Sequence, residues 1–300
     1  MLYPLSYGGG FSLAGLAHSG TTCQAGRMGQ WRRHVECELE ATVLESTGVT
    51  LSISVASVEG LSIDEHIEVT LDGSPISVSH VAGPTATRWH VADVSPGALV
   101  VRYRADVDGR AVPAAVTQRD RIEYVRPSRY VQSDELLGSL IDPATVDSFI
   151  HLPAAERVVA ARDWVAGLLD YVSGSTGPTD GLPEVIETGE GVCRDFAHLL
   201  AGLLRATDLP ARVVSVYAPQ LDPMDFHAVV EAAVDDNWVL LDATGLAPRH
   251  GMLRISTGRD AADNAFLVNE GSSLELTSLT VQASASTVLD EDPAAVVHLG

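Results

Sequence analysis

A strict two-residue alternation near the start constrains this 300-residue chain more than any other feature. Val35, Cys37, Leu39, Ala41 and Val43 alternate with Glu36, Glu38, Glu40 and Thr42. Only an extended strand sends successive side chains to opposite faces, so this stretch is expected to be a β-strand with one apolar and one wet face. The pattern recurs in Val49, Leu51, Ile53 and Val55, in Ile67, Val69 and Leu71, and in a further strand near residues 99–105. Gly-Ser and Pro-Gly turns punctuate these runs. Several short strands joined by such turns predict an antiparallel sandwich or partial barrel over residues 30–125. Cys37 falls on the apolar face of that region, where a thiol acts as a small hydrophobe.

The second half changes period. Val158, Ala161, Trp164, Val165 and Leu168 lie at helical spacing within residues 153–171, and Phe196, Leu199, Leu200, Leu203 and Leu204 do so in a helix expected from Cys193 to Ala206. Leu209-Pro210-Ala211 breaks that helix. The β-branched run at 212–218 predicts a strand, and residues 227–234 and 238–242 predict a hairpin turning at Asp235-Asp236-Asn237. His227 then begins one strand and Asp242 ends its partner, so both stand at the same edge of the sheet.

Cys193, His227 and Asp242 together have the makings of nucleophilic catalysis. A thiol needs a base to attack efficiently, and an imidazole needs a carboxylate to hold its tautomer and steady its charge. The first turn of a helix favours thiolate through its free N–H groups, which can also hold an oxyanion. Each residue has a plain structural reading as well: a buried small hydrophobe, a packed strand histidine and a turn-opening aspartate. Two other classes stay open at this point. The three are possible zinc ligands, although no Cys-x-x-Cys or His-x-x-x-His spacing anchors them, or the chain is a binding module with a relic triad. Arg194 stands either as a partner of thiolate or substrate or as a surface residue. Asp195 is favoured in the first helical turn by the dipole. His198 lies roughly 140° around the helix from Cys193 and is expected to be structural.

The text around these residues is more specific than their spacing. Gly191-Val192-Cys193-Arg194-Asp195-Phe196-Ala197-His198, Leu221-Asp222-Pro223-Met224-Asp225-Phe226-His227-Ala228 and Asp242-Ala243-Thr244-Gly245-Leu246-Ala247-Pro248 resemble the bacterial transglutaminase-like family of papain-type cysteine enzymes. The resemblance covers about residues 162–266. Residues 254–263 resemble the segment that follows the aspartate, and residues 126–134 resemble the connector that follows an N-terminal β region. It implies an α+β protein, with an antiparallel β-sandwich-like domain followed by a transglutaminase-like core of helices packed on an antiparallel sheet. It also implies that Cys193 is the nucleophile, His227 the general base and then acid, and Asp242 the residue that orients His227. The implied chemistry is acyl transfer or hydrolysis at an amide of a protein or peptide substrate, through a Cys193 thioester, with no cofactor and no metal. Gly181-Leu182-Pro183 and Gly245 depart from the family pattern, so the substrate is not read from relatives.

The expected divisions are a disordered or mis-started segment at 1–29, the β domain at 30–125, a connector at 126–152, the catalytic core at 153–283 and a flexible tail at 284–300. Residues 1–27 are rich in Gly, Ser and Thr, and Met28 stands just before the foldable part. No basic segment precedes the apolar residues 13–17, which argues against a secretory signal. With 40 acidic and 19 basic side chains the net charge is −21, which disfavours nucleic acid, anionic membranes and acidic polymers as partners. Three cysteines in unpaired spacing, Cys23, Cys37 and Cys193, suit a reducing compartment, and a cytoplasmic location is expected. No apolar run reaches 18 residues.

Overall fold

The structure, a computed structural model, describes residues 2–3, 31–135, 139–271 and 273–299. The alternating strand forms as β1 (Arg32–Val43), with every odd residue from Arg33 to Val43 buried. It is followed by β2 (Thr47–Leu51), β3 (Leu61–Leu71), β4 (Ser79–Ala82), β5 (Arg88–Val94) and β6 (Gly97–Gly109). Antiparallel pairing places Val35, Cys37, Leu39 and Ala41 of β1 opposite Ala105, Tyr103, Val101 and Leu99 of β6, so the two apolar faces form one surface. The expected strand through Val55 ends at Leu51. Beyond it Ile53 and Val55 stay buried, but their backbone crosses to the second half of the chain. Ser52 N–H donates to Phe266 O (2.9 Å), Ala56 N–H to Arg254 O (2.7 Å), and the Tyr217 hydroxyl to Ile53 O (2.7 Å).

Apart from a single turn at Ser133–Glu135, the α-helices among the described residues are α1 (Gln118–Glu123), α2 (Pro143–Ile150), α3 (Ala154–Leu168), α4 (Leu182–Thr188) and α5 (Cys193–Ala206). The expected helix over 153–171 stops at Leu168, because Leu169 turns extended and Asp170–Tyr171 pairs in parallel with Glu190–Gly191. All 14 residues of α5 are buried. It packs on β7 (Ala211–Tyr217) and β8 (His227–Val234), which form a four-stranded antiparallel sheet with β9 (Asn237–Leu241) and β10 (Leu253–Gly258), in the order β9-β8-β7-β10. Helix α3 packs against α5 and also meets β8.

The chain then returns to its first half. β11 (Leu267–Asn269) pairs with β2, and β12 (Leu274–Ala285) runs along β1. One β sheet is therefore ordered β12-β1-β6-β3 and the other β11-β2-β5-β4, with Leu2–Tyr3 beside β11 and Ser74–Pro75 beside β3. The core expected to end at 283 thus gives its last two strands to the β domain. Their alternating apolar residues, such as Leu274, Leu276 and Val281, need that cover.

The tail expected to be flexible is packed. Val297 O accepts from Leu240 N–H (2.8 Å) at the free edge of β9, and Leu289 packs on Gly251, where a Cβ would lie 2.2 Å from its Cδ1. Arg249 holds it with Nε on Glu291 (2.6 Å) and Nη2 on Asp292 O (2.8 Å). Apolar residues spaced without a helix or strand period gave no sign of this. The composition-based expectation for residues 1–29 lies outside the described residues except at Leu2–Tyr3. Among the described residues no helix is long and apolar enough to cross a membrane.

Candidate active site

Cys193 is the first residue of α5, and the chain reaches it through a tightly built entry. Gly189 ends α4 in the left-handed conformation (φ 70°), which a glycine adopts at little cost. Gly191 then passes so close to the helix that a Cβ on it would lie 2.8 Å from Asp195 Cβ. The Asp195 carboxylate accepts from Val192 N–H (2.9 Å), from the Thr176 hydroxyl (2.5 Å) and from Arg194 Nε (3.0 Å). It satisfies an otherwise unpaired helix-start donor and sits where the helix dipole favours an anion. Arg194 also donates through Nη2 to Thr176 Oγ1 (2.8 Å). The guanidinium is buried and committed to these two partners, so Arg194 is not the surface residue considered from sequence.

The hairpin delivers the other two residues. Val230 pairs with Leu241, and one further step of that register sets Asp242 opposite Val229, diagonal to His227. His227 Nε2 meets Asp242 Oδ2 at 2.7 Å. The second carboxylate oxygen accepts from Thr244 N–H (2.9 Å) and the Thr244 hydroxyl (2.8 Å), a turn that Gly245 completes at φ 64°. With Nε2 taken by Asp242, the other ring nitrogen is left for Cys193, which acts on the ring and whose Sγ donates towards Phe226 O at 4.0 Å. The three side chains stand in series, thiol to ring to carboxylate, rather than around a common centre. Among the described residues no group of three His, Cys, Asp or Glu side chains has the geometry of a metal site.

Burial and charge compete at this site. Burial disfavours a charged His227 ring, but the Asp242 carboxylate and the Cys193 sulfur outweigh it and push His227 up to about 10. Burial alone would raise Asp242; the His227 charge and the Thr244 hydrogen bonds hold it below its usual range. The arrangement can therefore keep a proton on the ring, beside the Cys193 side chain. Cys37 differs: burial pushes its thiol up, and it lies in the β core.

His198 is structural in its contacts. Its Nε2 accepts from Ala261 N–H (3.0 Å), its ring stacks on Tyr130, and burial pulls it down to about 4. Sequence reading did not single out Thr176 or Thr244, since a hydroxyl residue in a polar loop carries no signal of its own. It also passed over Asp225, next to Phe226, whose carboxyl burial pushes up to about 6.

Comparison with known proteins agrees with this architecture. The profile of the Transglutaminase-like superfamily matches residues 145–243, a span that contains Cys193, His227 and Asp242. An uncharacterised protein of Mycobacterium leprae is 32% identical over 210 residues, covering 67% of this chain and 67% of its own length. An uncharacterised Mycobacterium tuberculosis protein is 31% identical over 143 residues, and there the chain spans only 37% of the relative. A crystal structure from Cytophaga hutchinsonii, described as that of a candidate cysteine protease, superposes with a TM-score of 0.79 at 29% identity, over 90% of this chain and 96% of that one. Sequence match, fold and the ordering of helix and hairpin all converge, and the chain belongs to the transglutaminase-like superfamily.

Proposed function

We propose that the protein catalyses thiol-dependent acyl transfer or hydrolysis at an amide bond. The observation that carries this reading is the buried series of Cys193 at a helix start, His227 against the thiol, and Asp242 at 2.7 Å from the ring. Sulfur attacks the amide carbon with its proton already held on the His227 ring, and the carbonyl oxygen takes the negative charge. The first turn of α5 offers free N–H groups, that of Cys193 among them, to that oxygen. The C–N bond then breaks as His227 returns its proton to the leaving amine, which leaves a thioester on Cys193. Water completes hydrolysis; a second amine completes transamidation. Likeness to the Cytophaga protein described as a candidate cysteine protease favours water.

The chemistry calls for no cofactor. The substrate is a protein or peptide amide, and the net charge of −21 favours cationic or neutral peptides over polyanions. The two described cysteines are both unpaired, which fits a reducing, cytoplasmic setting. One observation favours a binding module with a relic triad: Cys193 and His227 are 2% and 1% exposed, so a substrate must part the groups covering them.

Substitution separates the two readings. Cys193→Ala should abolish turnover without changing the melting temperature, and His227→Ala should come close to the same loss. Asp242→Asn should cost about 10²–10⁴ in kcat, and the double variant with His227→Ala should be no worse than His227→Ala alone. Activity that survives Cys193→Ala, or defects that multiply as independent ones, would overturn the assignment.

A further inference from the structure

We infer that a cavity on the β8–β10 face of the core sheet is a second site, one that binds a small organic carboxylate with an apolar body. The cavity has a volume of about 370 Å³, within the range of small-molecule pockets. Its floor is made by Glu231 of β8, Trp238 of β9 and Arg254 of β10. Its walls come from the N-terminal half and the C-terminal tail, mainly through apolar side chains such as Val58, Leu61, Val112 and Leu299.

The charge beneath that floor does not balance within the protein. Glu231 is shared by two guanidiniums: Arg212 Nε reaches Oε2 at 2.8 Å, and Arg254 binds end-on, Nη1 to Oε2 at 3.0 Å and Nη2 to Oε1 at 2.8 Å. All three side chains are buried, which leaves one positive charge in excess away from water. An unpaired buried charge is costly, so such a cluster is most stable with an anion beside it. Glu59 supplies none at the floor, since it stands exposed at the mouth.

The free donors specify the shape of that anion. Arg254 gives its remaining Nη1 hydrogen to Thr257 Oγ1 (2.5 Å). Its Nε–H and second Nη2 hydrogen enter none of these bonds. These two point the same way and form the fork that a planar carboxylate fits with two parallel hydrogen bonds. Trp238, 3% exposed, lines the cavity, and Arg212 lies 3.8 Å over its ring. The wall beside them is strained: Thr85 holds left-handed backbone (φ 50°, ψ 47°), rare for a β-branched residue, Ala86 follows at φ 59°, and such strain gathers at ligand sites. A fork of donors, one excess cation and apolar walls together select a carboxylate with an apolar tail.

Octanoate is a suitable probe, and the indole N–H of Trp238, assigned by its loss in Trp238→Phe, reports on it by NMR. The site predicts a saturable shift of that signal with octanoate and none with octanol, which has the tail without the charge. Arg254→Met, which leaves Arg212 and Glu231 as a balanced pair, should weaken octanoate by about tenfold or more, as expected for loss of a charge-assisted hydrogen bond. An unmoved indole signal, an equal shift with octanol, or equal octanoate affinity in Arg254→Met would overturn the proposal. Should Arg254→Met fail to fold, the comparison of octanoate with octanol on the native protein decides by itself.

Discussion

A histidine with 1% exposure ordinarily sheds its proton, and His227 keeps one because the Asp242 carboxylate, 2.7 Å from its ring, outweighs burial with help from Cys193. This has a consequence for stability. The ring titrates at about 10 in the folded chain and near 6.5 in the unfolded one, so its proton contributes stability that is complete below about pH 6.5 and is lost as pH rises through about 10. Urea midpoints at about pH 6 and about pH 9 should therefore fall in the wild type, and fall much less in Asp242→Asn, where the ring has lost its main partner. Equal slopes in the two proteins would show that Asp242 does not hold that proton. The three residues were legible in sequence because a thiol, an imidazole and a carboxylate at element ends form an uncommon set. Their support was not: Thr176 and Thr244 are recognised only by the atoms they touch.

At the scale of elements, the entry to α5 decides where the thiol sits. Gly191 lacks a left-handed backbone, so its need for glycine comes from proximity to Asp195 alone. Gly191→Ala should push the first turn aside, costing about 1–3 kcal/mol in a urea melt and slowing alkylation of Cys193. Unchanged stability and alkylation would show that the entry yields easily. Element prediction worked where period and burial coincide, as in β1, whose alternation matches its buried face, and in α5, with its Leu and Phe spacing. It overran at Ile53 and Val55, because alternation there reports burial between two halves of the molecule rather than pairing in a sheet. The two-residue parallel pair of Asp170–Tyr171 with Glu190–Gly191 is too short to carry any period. The glutamate within the apolar strand Ala228, Val229, Val230, Glu231, Ala232 was a visible anomaly, and its two arginine partners lie 19 and 23 residues away.

Over the whole molecule, the chain interlocks. β11 and β12 return to the first half, and the tail clamps the loops that flank the candidate site: Leu289 N–H donates to Gln220 Oε1 (2.7 Å) ahead of His227, and Arg249 joins Leu240 O (2.9 Å) to Glu291 beyond Asp242. No local sequence pattern announces such long-range closure. A chain ending at residue 285 would strip the buried Arg249 of its carboxylate, and should lose about 3 kcal/mol or more in a denaturant titration. A stability equal to that of the full chain would show the tail to be a passive cover. The central claim, that Cys193 forms a thioester, is tested most directly by intact-mass spectrometry of the protein quenched in acid during turnover of a peptide library containing Gln and Lys. An acyl adduct should map to Cys193, release with hydroxylamine and be absent from Cys193→Ala; peptide cleavage or cross-linking that proceeds in Cys193→Ala, or an adduct on another residue, would rule the thioester out.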